Sequence, residues 1–128
     1  MKILGIGVDV IQNKRIGALI KSKVFIRRIF GKKEIEISDK YSNKMNYFAK
    51  RFAAKEAFSK AIGTGFRKNL SFKDIQVLND NLGKPYYSRS KKLDKIINQR
   101  FKKKNYNLFL SITDEKDYSI AFVILQAK

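Results

Sequence analysis

The chain has 128 residues, with 29 Lys and Arg against 11 Asp and Glu, a formal charge of +18, and neither Cys nor His. That length suits one domain with its own core, and no stretch reads as a linker, so a single domain over 1–128 is expected. Without Cys and His, thiol nucleophiles, Cys/His zinc sites and Ser-His-Asp triads are excluded, and any metal must be held by oxygen ligands, which suit Mg²⁺, Ca²⁺ or Mn²⁺.

Alternation over Ile3–Ile11 predicts a strand in which Gly5, Gly7 and Asp9 share one face and Leu4, Ile6, Val8 and Val10 the other. The apolar face is expected in the core. On the glycine face, two residues without side chains precede a carboxylate, the mark of a close approach by a ligand, of a bulge, or of tight packing against a helix. The Gly-x-Gly spacing lacks the third glycine of a dinucleotide fingerprint.

From Asn13 to Phe30 the apolar residues recur at helical spacing and predict two short helices with Ser22 as the cap between them. Lys14, Arg15, Lys21, Lys23, Arg27 and Arg28 make this a basic, partly apolar platform that suits an acidic partner as well as it suits solvent. Residues 31–43, with Glu34, Glu36 and Asp39, are expected to form an irregular connection.

Phe48–Gly65, rich in alanine and long side chains and free of proline, predicts a helix that Gly63 closes in the left-handed conformation. On a helical wheel Ala49, Phe52, Ala53, Glu56 and Lys60 fall on one side, with Arg51, Lys55 and Phe58 broadly on the other. Glu56 therefore sits among small and aromatic neighbours and needs a cation. Either Lys60, four residues on, supplies it, or a metal ion shared with a second carboxylate does.

Phe66–Lys73 reads as a basic loop, Asp74–Leu78 as a short strand, and Asn79–Pro85 as a turn returning through Tyr86 and Tyr87. Lys91–Phe101 is an amphipathic helix, and Leu108–Thr113 with Tyr118–Leu125 a terminal hairpin. No apolar run approaches the roughly 20 residues of a membrane span, and no signal-peptide pattern opens the sequence, so a cytoplasmic protein without membrane insertion is expected.

The residues thus offer a glycine-flanked carboxylate on a strand, a second on an alanine-rich helix with Lys60 one turn on, and Gly-Thr-Gly and Gly-Lys-Pro loops among basic residues. Two carboxylates that share a Mg²⁺ also taking phosphate oxygens point to phosphoryl chemistry. Gly5-Ile-Gly-Val-Asp-Val-Ile-Gln-Asn-Lys-Arg-Ile16, the Phe48–Gly65 block with its Ala-Ala-Lys-Glu-Ala core, Leu82-Gly-Lys-Pro85 and Ser111–Ile124 resemble, in this order, the signature blocks of the holo-[acyl-carrier-protein] synthase family. The central block is highly specific; the Gly-Lys-Pro turn alone would not be.

The resemblance implies an α+β phosphopantetheinyl transferase fold, an antiparallel sheet packed with helices. It implies transfer of the 4'-phosphopantetheine arm of coenzyme A to a serine of apo-acyl carrier protein, with release of adenosine 3',5'-bisphosphate, in support of fatty acid biosynthesis. By the same resemblance Asp9 and Glu56 hold Mg²⁺, with Lys60 near the diphosphate as a third catalytic group. Arg51, Lys60, Gly63, Thr64, Gly65, Gly83, Lys84 and Pro85 contact the cofactor. Arg15, Leu19, Lys21, Lys23 and Phe25 bind the acidic carrier, and the enzyme is a homotrimer with active sites between subunits. One departure stands out: many relatives carry histidine where this chain has Asp114. A nucleic-acid-binding module is the rival reading of the +18 charge, but no recognition signature accompanies it, and it leaves Asp9 and Glu56 idle.

Overall fold

A computed structural model describes residues 2–63 and 71–128. Along the chain run β1 (Lys2–Gln12), α1 (Asn13–Leu19), α2 (Lys23–Ile29), α3 (Lys32–Ser38), α4 (Lys44–Ile62), a 3₁₀ turn (Phe72–Asp74), β2 (Val77–Asn79), β3 (Pro85–Tyr87), α5 (Lys91–Phe101), β4 (Tyr106–Asp114) and β5 (Tyr118–Ala127). Three strands form an antiparallel sheet in the order β1-β5-β4, and β2 and β3 pair as a separate hairpin. This is the expected α+β architecture of an antiparallel sheet packed with helices.

The expected caps are present. Ser22 opens α2 by accepting from the Phe25 amide, and Gly63 closes α4 at φ 85°, donating its own amide to the Ser59 carbonyl. A left-handed residue costs glycine little, because no Cβ meets the preceding turn.

The packing of β1 on α4 sets up everything that follows. A Cβ on Gly5 would lie 2.0 Å from the Ala61 carbonyl oxygen, and one on Gly7 1.9 Å from that of Ala57. Only glycine opposite alanine allows the strand backbone to lie so directly on the helix, and Ala53, Ala57 and Ala61 are all buried. From Gly5 onward the alternation along β1 holds, but its faces are exchanged; before it, a register irregularity between Ile3 and Gly5 leaves Ile3 exposed and Leu4 partly packed on the core as expected. The glycine face is the inner one, whereas Ile6, Val8 and Val10, expected in the core, are 59%, 53% and 59% exposed. In register they stand beside Ile124, Phe122 and Ile120 of β5, and Phe109 of β4 joins the same outer face. The physical reason is that α4 lies with its alanines and backbone directly on this face of the strand, which leaves no room for side chains there.

Residues 32–38 form α3 instead of an irregular link, because Glu34 has an interior role. Its carboxylate accepts from the Gly31 amide at 2.9 Å, the Val77 amide at 3.0 Å and Lys55 Nζ at 2.7 Å. Lys55 Nζ also donates to the carbonyls of Phe72 and Ile75. Both charged side chains are fully buried, and burial pulls the Lys55 amine below its ordinary range while Glu34 opposes that shift. The pair ties α3, α4, the 3₁₀ turn and β2 into one unit.

Candidate active site

Asp9 leaves β1 two residues beyond Gly7, and Glu56 leaves α4 next to Ala57, so the glycine-alanine contact brings the two acids together. Each carboxyl group is pushed above its ordinary range, chiefly by burial, and for Glu56 the Asp9 charge adds to the rise. Positive charge opposes both shifts from Lys60 and from Arg15 on α1. Lys60 Nζ donates to the Val8 carbonyl at 3.0 Å and to Asp9 Oδ1 at 3.3 Å. The simpler sequence expectation, a Glu56–Lys60 pair along the helix, is thus not what forms among the described residues: Lys60 pairs across to the strand.

Two half-buried acids brought together, their pKa values raised despite Lys60 and Arg15, suit a divalent cation. Among the described residues no group of three His, Cys, Asp or Glu side chains assembles into a closed cage. A donor set of two carboxylates matches Mg²⁺, which keeps much of its water and takes phosphate oxygens.

A second feature lies on the other side of α4. Arg51 is 4% exposed and forms no ion pair among the described residues. Its guanidinium stacks 3.6 Å from the Tyr47 ring centroid, donates to the Tyr47 carbonyl at 3.2 Å and to Asn79 Oδ1, and keeps a buried Nε–H without a partner. A buried cation without a carboxylate is costly unless an anion reaches it from outside. Arg51 lines a cavity of about 120 Å³ with Tyr41, Lys50, Asn79, Gly83, Pro85 and Asp114. Asp114 accepts from Asn46 Nδ2 at 2.7 Å.

Of the cofactor residues expected from the sequence, the structure gathers Arg51, Gly83 and Pro85 in this cavity. Lys84 stands beside it in the β2–β3 turn, where its amide donates to Asp80 Oδ1 at 2.9 Å. Gly63 is the α4 cap, about 18 Å along the helix from Arg51 at 1.5 Å per residue. Thr64 and Gly65 lie outside the described residues. Neither Tyr41 nor Lys50 carries a functional signal in the sequence, and Asn79 carries only a turn-forming one. Among the proposed carrier-binding residues, Arg15, Leu19, Lys21 and Lys23 are exposed, while Phe25 is half-buried against Phe30 and Phe52.

The fold and the paired acids define a class. The chain belongs to the 4'-phosphopantetheinyl transferase superfamily, whose family model matches residues 5–123. Within that class it is similar over its whole length to the holo-[acyl-carrier-protein] synthase of Pelagibacter ubique (strain HTCC1062), at 59% identity over 128 residues and 100% of both chains. Among solved structures, that of the holo-[acyl-carrier-protein] synthase from Neisseria meningitidis is similar with a TM-score of 0.88 at 39% identity, covering 98% of this chain and 99% of that one. The enzyme from Bacillus anthracis str. Ames, crystallised in complex with CoA (3',5'-ADP), is similar with a TM-score of 0.82 at 36% identity, covering 98% of each.

Proposed function

We propose that this chain transfers the 4'-phosphopantetheine group of coenzyme A to a serine of apo-acyl carrier protein and releases adenosine 3',5'-bisphosphate, in the cytoplasm and in service of fatty acid biosynthesis. The observation that carries the reading is the pairing of Asp9 with Glu56 across the glycine-alanine contact, with Lys60 at its edge. Asp9 and Glu56 would hold Mg²⁺, which when bound would supply Lewis-acid stabilisation of the diphosphate charge.

The chain's own groups do the rest. Lys60, already beside Asp9, adds a cation to the diphosphate, so that stabilisation is electrostatic and pre-arranged. The serine oxygen attacks the phosphorus that carries the pantetheine arm, the bond to the adenosine bisphosphate oxygen breaks, and the serine proton passes to a carboxylate of the pair, directly or through water. Lys50 and Arg51 hold the ribose phosphate in a cavity where Asn46 occupies Asp114. The acidic carrier docks on Arg15, Leu19, Lys21, Lys23 and Phe25, a surface that begins directly where β1 delivers Asp9.

The geometry of α4 supports an assembly. Arg51 and Lys60 are nine residues apart, which places them on opposite sides of α4 and about 13 Å apart along its axis. One copy therefore does not present both ends of coenzyme A to a single surface, whereas neighbouring copies in a homotrimer do, with the active sites between subunits. The exposed apolar sheet face supplies the contact, since patches of this kind mark interfaces. A cleft of about 490 Å³ on that face, lined by Val10, Tyr118 and Ile120, shares Asp114 with the Arg51 cavity, so interface and nucleotide site adjoin.

The test is transfer itself, followed as the mass gained by apo-acyl carrier protein. Glu56→Gln should abolish Mg²⁺-dependent transfer while leaving the fold intact. Near wild-type transfer by the folded variant overturns the assignment.

A further inference from the structure

Away from the acid pair and the Arg51 cavity, α2, α3 and the start of α4 enclose a groove of about 670 Å³. Its apolar lining is Ile26, Phe30, Ile35 and Phe48, with the Phe30 and Phe48 rings 4.6 Å apart at its base. Four cations stand on the rim, Lys23, Arg27, Lys32 and Lys73, and none of them enters an ion pair among the described residues. Two acids are also present. Asp39 is matched by Lys44 at 3.3 Å, which leaves Glu36 alone against the four cations.

Size and lining match a small-molecule seat, since such clefts run from roughly 300 to 1,000 Å³ and combine an apolar lining with a few polar anchors. The lining residues come from helices, their C-caps Phe30 and Asp39, and the 3₁₀ turn, so no strand edge is offered to an extended peptide. An alkyl chain satisfies the base, and one anionic head satisfies the rim through charge-assisted contacts. We infer that this groove binds a medium-chain fatty acid anion, with the chain over Ile26, Ile35 and the two phenylalanines and the carboxylate among Arg27, Lys32 and their neighbours.

The experiment is calorimetric titration of the full chain with octanoate, decanoate and dodecanoate below their micelle concentrations, with decyltrimethylammonium as the cationic control. The expected result is saturable binding that tightens about two- to fourfold per methylene. Replacing Arg27→Ala together with Lys32→Ala should weaken it about fivefold. Filling the groove with Ile35→Trp should remove it in a chain that still melts cooperatively, and if that variant does not fold, the alanine pair carries the test. Absence of saturable binding, affinity independent of chain length, equal binding of the cationic amphiphile, or unchanged affinity in either folded variant overturns the inference. So does binding only to anionic phospholipid vesicles or only to an acidic amphipathic peptide, which would assign the groove to a membrane or to a polypeptide.

Discussion

Lys60 Nζ reaches from α4 to Asp9 Oδ1 on β1 at 3.3 Å, so the cation expected to neutralise its own helix neighbour Glu56 serves the opposite element. Glu56 is left as the more weakly compensated of two half-buried acids, and the Asp9 charge raises its carboxyl pKa further.

A pH dependence follows from that asymmetry. A carboxyl whose folded pKa lies above its unfolded value favours the folded state while protonated, and that contribution is lost as pH rises through the folded pKa. Glu56→Gln should therefore stabilise the metal-free chain, with the gain over wild type growing as pH rises from the ordinary carboxylate range towards neutrality. On the usual scaling the increase in Tm is at most about 5 °C. Thermal melts of both chains across this range, in chelator, check it; a Glu56→Gln chain that loses stability with rising pH relative to wild type would refute it.

The strand-helix contact predicts a sharp contrast between glycines. Gly7→Ala drives a Cβ to within 1.9 Å of the Ala57 carbonyl oxygen, so backbone must move, and a loss of at least about 3 kcal/mol or failure to fold is expected. Gly83 has φ 89° with nothing within 4 Å, so Gly83→Ala meets only the left-handed backbone penalty of about 1 to 2 kcal/mol. Denaturant midpoints of the two variants should differ accordingly.

For the interior pair, Lys55→Met leaves the Glu34 carboxylate buried without its cation, at a cost of about 3 to 5 kcal/mol. Adding Glu34→Gln removes that charge and keeps an acceptor for one of the two amides, Gly31 or Val77, so the double variant should recover part of the loss. A coupling of more than about 1 kcal/mol in the double-mutant cycle is the expected reading.

The sequence carried the element order and the site acids further than it carried the packing. Strand alternation in β1, the Ser22 cap and the Gly63 terminus are local chemistry, and each is legible from a few residues. Which face of β1 turns inward is not local, because it depends on alanines some fifty residues on that complement Gly5 and Gly7. Glu34 was hidden for the same reason: nothing near it signals that Lys55, 21 residues away, is its partner. Arg15 reads as one cation in a basic run, yet it faces the acid pair only because α1 turns back directly after β1.

Oligomerisation is predicted to depend on the outer sheet face. Phe122→Glu or Val8→Glu places a charge among Ile6, Ile120 and Ile124, and either should convert the proposed trimer to monomers by light scattering while the fold is kept. Transfer should fall with assembly, because the Arg51 cavity and the acid pair would then no longer meet across neighbours.

The most direct measurement is the affinity of the full chain for Mn²⁺ by electron paramagnetic resonance in saturating coenzyme A. Compared are wild type, Asp9→Asn and Glu56→Gln, each shown to be folded. One site per chain in wild type, weakened at least about tenfold in both variants, is the result expected when Asp9 and Glu56 hold a single ion between them. Equal affinity in all three chains would contradict it.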